Sequence, residues 1–208
     1  MRIHRITGSA VRDRIDAADQ TIMGRLSAER SPVLDRFLPM LSRSADFFAL
    51  WTGIAAVLAA GQVERGRRAA LRGLAGMVIA STASNVVAKR LVHRPRPAVE
   101  VRAARRPGRT PVTTSFPSGH AAAAAAFATG VGLEMPALAA PVGALATAVG
   151  IARVVNGVHY PSDIVGGWAV GVGVAMLTLR WWPLRRSEPA TAAGPGCEAA
   201  AERDLPSD

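Results

Sequence analysis

Residues 136–152 and 164–179 contain no charged side chain. A helix on the surface of a water-soluble protein shows water a polar face, and neither run has one to show. Three more apolar runs occupy residues 47–61, 69–88 and 120–133, the last opening with six consecutive alanines after His120. A bilayer-crossing helix takes about 20 residues, with a usual range of roughly 17–25. Several of these runs are marginal, so each is expected to borrow flanking residues. Gly167 and Gly171 form a small-x-x-x-small step, which lets helices pack closely in lipid. The expected fold is all-α: an integral membrane bundle of about five spanning helices. Ala-rich helices also occur in soluble bundles, but the two uncharged runs argue for the bilayer.

The first 45 residues differ in kind. Val11, Ile15, Ala18, Ile22 and Leu26 recur at three- and four-residue steps, which is helical periodicity. Pro32 suits the first turn of a second helix carrying Val33, Phe37, Leu38 and Leu41. With arginines on the polar faces, these are expected as amphipathic helices lying on a membrane surface, the alternative being a soluble helical hairpin. No apolar central run of a secretory signal occurs there. The expected organisation is therefore 1–45 as surface helices, 46–182 as the transmembrane bundle and 183–208 as a disordered tail rich in Ala, Pro and Glu.

The formal net charge is +10, carried almost wholly by arginine, because Lys89 is the sole lysine. A basic chain points to nucleic acid, anionic lipid or an anionic substrate. No zinc-ligand spacing, aromatic-rich sheet motif or basic helix with heptads is present, so nucleic acid is set aside. Cys197 is the one cysteine, which excludes an internal disulfide and a cysteine zinc site.

Three short stretches carry chemistry. Lys89 to Pro97 reads K-R-L-V-H-R-P-R-P, 117–120 reads P-S-G-H, and 153–163 reads R-V-V-N-G-V-H-Y-P-S-D. If all five runs span, these motifs fall on one side of the membrane. Arg96 and Arg153 suit bidentate contact with phosphate oxygens, and Lys89 adds a point charge. Ser118 and Gly119 precede a helix whose first N–H groups are expected to face an anion. His159 stands four residues before Asp163, so the carboxylate is placed to hold one imidazole nitrogen and leave the other as a nucleophile. His120 is then the candidate proton donor to the leaving oxygen. His93 reads as a surface or locally hydrogen-bonded residue and His4 as incidental. Taken singly, each motif has a plain alternative: a helix cap for P-S-G-H, a membrane-boundary anchor for Lys89 and Arg96, a structural hydrogen bond for His159 and Asp163.

In this order, K-x-x-x-x-x-x-R-P, P-S-G-H and R-x-x-x-x-x-H-x-x-x-D resemble the three signatures of the type-2 phosphatidic acid phosphatase superfamily. That superfamily includes membrane lipid phosphatases and soluble vanadium haloperoxidases. The motifs span 89–163, and the helix plan is similar from about 46 to 182. The resemblance implies phosphate hydrolysis by a helical bundle without metal or cofactor. It assigns the nucleophile to His159, its orientation to Asp163, the acid to His120, and phosphate contacts to Lys89, Arg96, Ser118, Gly119 and Arg153. Ala152 stands where the third signature usually has serine. Residues 31–36 and 67–74 look similar to actinobacterial members, some of which are fused to a lipid kinase domain that this chain lacks.

The expected function is a membrane lipid phosphate phosphatase acting on an isoprenoid (di)phosphate, phosphatidate or a related glycolipid phosphate through a phosphohistidine. A vanadate-dependent haloperoxidase and a non-catalytic anionic-lipid binder are the alternatives. The expected partners are the bilayer and a lipid phosphate; the head group, mono- or diphosphate preference and oligomeric state stay open. Arg65, Arg67, Arg68 and Arg72, with Arg180, Arg185 and Arg186, favour an internal tail. The expected location is a multi-pass cell-membrane protein with its site on the outer face.

Overall fold

The computed structural model describes residues 3–28, 31–44, 48–61, 63–88, 90, 92–97 and 113–184, and among these every regular element is helical. Lys89, the arginines at 102, 105, 106 and 109, and the tail from 185 onward lie outside the described residues. The elements run α1 (Ile3–Ala28), α2 (Pro32–Ser44), α3 (Ala49–Ala60), α4 (Glu64–Thr82) continued by a π-helical segment (Ala83–Ala88), α5 (Gly119–Glu134), α6 (Ala139–Val155) and α7 (Pro161–Leu177).

The alanine-rich α5 lies at the centre, packed on α4, α6 and α7. Alanine is the best helix former and adds almost no width. Ser118 caps the start, its hydroxyl accepting from the Ala121 N–H at 3.4 Å. Residues 121–128 are buried. Glycines on the neighbours complete the close approach. A Cβ on Gly167 would stand 2.5 Å from the Ser118 carbonyl oxygen, and one on Gly171 would collide with that of Ala122. The step at 167 and 171 is thus a helix–helix contact. On the other side a Cβ on Gly73 would meet the Phe127 ring at 2.9 Å. Larger side chains fill the space between α3, α4, α5 and α6: Trp51 and Phe127, with ring centroids 5.2 Å apart, together with Met77, Val131 and Val149.

The exterior is apolar where a soluble protein would be polar. Val57 is 74% exposed, and Leu71, Val78, Val165, Val172 and Met176 also face outward. A belt of this kind on three sides of a bundle marks contact with lipid. Among the described residues, two helices are long and apolar enough to cross a bilayer, Pro136–Val155 and Pro161–Arg180. The other three runs expected to span are helical as well, each differing from those two in its own way. The twelve residues of α3 reach only about 18 Å at 1.5 Å per residue. The α5 helix has 16 residues and is enclosed by its neighbours. The α4 helix starts at Glu64, earlier than its apolar run, and carries arginines through its first turns.

The α1 helix docks on the bundle with its apolar stripe turned outward. Val11, Ile15, Ala18 and Ile22 are exposed, while Asp19 and Met23 are buried. Met23 packs with Ala121, Val154 and Ile164. The apolar stripe is left for the surroundings, as a surface helix requires, and a carboxylate points inward.

The end of the bundle remote from the motifs is closed by charge. Arg72 is 1% exposed and reaches Glu134 at 2.8 Å, Thr178 Oγ1 at 3.0 Å and the Trp182 carbonyl. Arg68 adds a second ion pair to Glu134 at 3.1 Å. Removing one partner strands a buried charge. Glu134→Ala is therefore expected to destabilise the fold by about 3–5 kcal/mol, measured by thermal unfolding in detergent, while leaving the geometry of the opposite end intact.

Candidate active site

Helix termini bring the motifs together. The end of α4, the start of α5, the end of α6 and the start of α7 all lie at one end of the bundle. The Ser118 N–H donates to the Asp163 carbonyl at 3.0 Å, tying the P-S-G-H turn to the first turn of α7. The Ser115 N–H donates to the Arg94 carbonyl at 2.9 Å and so brings in the 92–97 segment.

Local backbone chemistry sets the spacing from Arg153 to His159. The α6 helix ends at Val155, and Gly157 takes a left-handed φ of 65°. The Gly157 N–H donates to the Val154 carbonyl at 2.8 Å and the Val158 N–H to the Arg153 carbonyl at 3.0 Å. This is a Schellman motif, and the Asn156-Gly157 pair is the sequence that makes it. His159 follows directly, and Pro161 opens α7 at a position where a missing N–H costs nothing. Asp163 is the third residue of that helix, and its Oδ2 accepts the Tyr160 N–H at 2.9 Å, half of a capping box.

His159 is buried, 2% exposed, with Nδ1 facing Asp163 Oδ2 at 3.4 Å. That is an ion-pair distance, longer than a well-formed hydrogen bond. On the other side Nε2 lies 3.4 Å from Arg96 Nη1. A guanidinium only donates, so Nε2 is the accepting nitrogen and the proton sits on Nδ1, toward the carboxylate. Burial pushes the imidazole pKa down from 6.5 to about 4; Asp163 opposes the shift, and the Arg96 and Arg153 charges add to it. His159 is therefore a neutral imidazole at neutral pH, with its lone pair on Nε2.

The expected phosphate contacts are placed as follows. Arg153 is buried in the last turn of α6. Arg96 rests on carbonyls: Nε donates to Thr113 at 2.8 Å, Nη1 to Val158 at 2.9 Å and Nη2 to Thr114 at 3.4 Å. Arg96, expected as a phosphate contact, thus has its fork against this backbone beside His159 Nε2. The Ser118 N–H is engaged by the Asp163 carbonyl and its hydroxyl by the helix cap, and Gly119 is buried as the first residue of α5. His120 begins α5 and is half-buried. His93 is exposed, in line with its reading as a surface residue. Lys89 lies outside the described residues.

Residues not singled out from sequence complete the site. Arg94 Nη1 donates to Asp163 Oδ1 at 3.0 Å and to Ser162 Oγ at 2.6 Å. Its Nη2 donates to Asp16 Oδ1 at 2.5 Å and Asp19 Oδ2 at 2.7 Å, and its guanidinium stacks 4.2 Å over the Tyr160 ring. Asn85, in the π-helical segment, presses its amide against Gly119, where an added Cβ would lie 2.8 Å from Nδ2. The only trace of the Arg94 cluster in sequence is the three-residue spacing of Asp13, Asp16 and Asp19 in a basic chain.

Residues 70–187 match the family model described as the PAP2 superfamily. A decaprenylphosphoryl-5-phosphoribose phosphatase of Mycolicibacterium smegmatis is 42% identical over 136 residues, 61% of this chain and 67% of that protein. A lipid A 1-phosphatase of Rhizobium johnstonii is 41% identical over 64 residues, 31% of this chain and 26% of that one. The fold is similar to the crystal structure of a transmembrane PAP2-type phosphatidylglycerolphosphate phosphatase from Bacillus subtilis. That match has a TM-score of 0.59 and 23% identity, over 81% of this chain and 86% of the other.

The low pKa of His159 carries a sign. Between pH 6.5 and about 4 the unfolded chain binds a proton that the folded chain refuses. Stability therefore falls as pH falls through that window, by about 3 kcal/mol in all. His159→Gln removes the titration. The stability of the parent relative to this variant should drop by about that amount when both are unfolded in detergent across the window. A constant difference would place the imidazole pKa near its ordinary value.

Proposed function

This chain belongs to the PAP2 superfamily, and we propose that it removes the terminal phosphate from a polyprenyl-linked sugar phosphate or a related isoprenoid phosphate at the outer face of the cell membrane. It is a hydrolase of phosphate esters, of the membrane lipid phosphate phosphatase kind. The choice of lipid rests on the relative at 42% identity, with phosphatidate as the competing substrate in the test.

The observation that carries the chemistry is His159, buried and neutral, its Nδ1 toward Asp163 and its Nε2 beside a fixed cation. Nε2 attacks phosphorus and the P–O ester bond breaks. His120 gives its proton to the leaving oxygen. The imidazolium formed on His159 is stabilised by Asp163, while Arg96, Arg153 and Lys89 offset the phosphoryl charge. Gly119 at the start of α5 adds a backbone N–H and the helix dipole. Water, deprotonated by His120, then attacks the phosphohistidine, the P–N bond breaks, and phosphate leaves. Asp163 sits at the amino end of α7, and its charge there is also favoured by the helix macrodipole. The exposed apolar belt supports several crossings, and the arginines at the remote end support an inward-facing tail.

Purified protein should release phosphate from a polyprenyl-linked sugar phosphate in excess EDTA, with inhibition by vanadate. His159→Ala should lose roughly 10³-fold or more of kcat and fail to form the acid-labile, alkali-stable phosphoenzyme that the parent forms with labelled substrate. Undiminished turnover in that variant removes the nucleophile, and faster release from phosphatidate changes the substrate. The orientation is tested through Cys197, the one thiol. A membrane-impermeant maleimide should label it only after cells are permeabilised; labelling in intact cells would put the site inside.

A further inference from the structure

We infer that Asp16 and Asp19 of α1, acting through Arg94, are positioning residues that keep Asp163 turned toward His159, so that α1 belongs to the machinery orienting the nucleophile. This rests on the reading of His159 as the nucleophile.

The argument begins with how Arg94 divides its donors. A guanidinium facing one carboxylate closes on it with both terminal nitrogens, since the planar fork matches the two oxygens. Here it does not. Nη1 alone meets Asp163, at Oδ1, while Nη2 is held by Asp16 and Asp19. Asp163 Oδ2 is thereby left for His159 Nδ1 and the Tyr160 N–H. One cation bridges three carboxylates, two on α1 and one on α7. Asp19 and Asp163 are buried and the Arg94 side chain is 12% exposed, so solvent screens the cluster little.

Asp19 makes a second tie to the same turn. Its Oδ1 accepts the Ser162 N–H at 3.0 Å, and its Oδ2 accepts the Ser162 hydroxyl in a very short contact. Ser162 also accepts from Arg94, so the first turn of α7 is held from the α1 side at the residue next to Asp163. Without the α1 carboxylates, Arg94 keeps one charged partner. Its fork would close on Asp163, draw Oδ2 off the imidazole and leave His159 without the group that holds its Nδ1 proton. The 3.4 Å separation between Nδ1 and Oδ2 leaves little margin for such a turn.

The test uses the full chain in detergent or vesicles, with phosphate release from the lipid substrate, vanadate inhibition and thermal unfolding read on each variant. Asp16→Asn with Asp19→Asn should lower kcat on the order of 10- to 100-fold, the scale on which outer hydrogen-bond partners of a catalytic group act. KM and the vanadate inhibition constant should stay within about threefold, since the phosphate contacts are elsewhere. Arg94→Gln should lower kcat by itself. Placed in the double aspartate variant it should cost much less than it does alone, because the aspartates act largely through Arg94. Unchanged kcat in a folded double variant overturns the inference, and so do losses that add across Arg94 and the aspartates. If the double variant does not fold, Asp16→Asn alone decides. Asp16 is half-exposed, and its smaller loss of kcat should likewise be non-additive with Arg94→Gln. His159→Ala serves as the blank. Should it stay active, the nucleophile reading fails; should it be dead while the aspartate variants are fully active, only the role of α1 fails.

Discussion

Everything at the motif end depends on how closely α5 approaches α4 and α7. Its buried face is nearly all alanine, and glycines on both neighbours remove the last obstacle. Dispersion between closely set backbones replaces large interlocking side chains as the cohesive force. The consequence reaches the chemistry. Helices so close bring their termini within hydrogen-bonding reach, and the bond from the Ser118 N–H to the Asp163 carbonyl spans that gap directly. Bulkier packing would separate the P-S-G-H turn from the start of α7 and scatter the cations.

The two ends of the bundle use buried charge differently. At the remote end Arg72 and Glu134 satisfy each other along with a hydroxyl and a carbonyl, which makes a closed structural clamp. At the motif end the charges are shared out: Asp163 is divided between Arg94 and His159, and Arg96 lies between backbone carbonyls and an imidazole nitrogen. A divided carboxylate can answer a change of charge on either partner, whereas a closed clamp cannot. That contrast separates a shared cluster from a brace in a protein with arginine at both ends.

Much of this was legible in the chain. The helices fall close to the apolar runs, Pro32 opens α2 as expected, and the described parts of the three motifs gather at one end. The close step at Gly167 and Gly171 also followed from spacing alone. The number of crossings did not, because length and composition mark two helices among the described residues as spans while α5 is enclosed by protein. The inward carboxylate of α1 was hidden as well. Periodicity locates the apolar stripe, expected to face a membrane surface, and it faces out of the bundle; no pattern marks Asp19 as facing in. Arg94 escaped notice because its meaning lies in partners 75 and 69 residues away, which no local pattern records. Arg96 lies beside His159, but the direction of its fork depends on carbonyls of the 113–114 and 158 segments.

The Schellman turn after α6 has a wider consequence. It measures out the interval from the buried arginine to the imidazole with backbone hydrogen bonds alone, so that interval owes nothing to the outward-facing side chains. A one-residue insertion in the turn would break its paired backbone bonds and displace His159 from Arg153. Exchanging residues on the greasy exterior leaves the interval untouched. A scaffold of this kind is free to redress its outside for a new lipid while the reacting groups keep their register, which makes it an adaptable starting point for redesign.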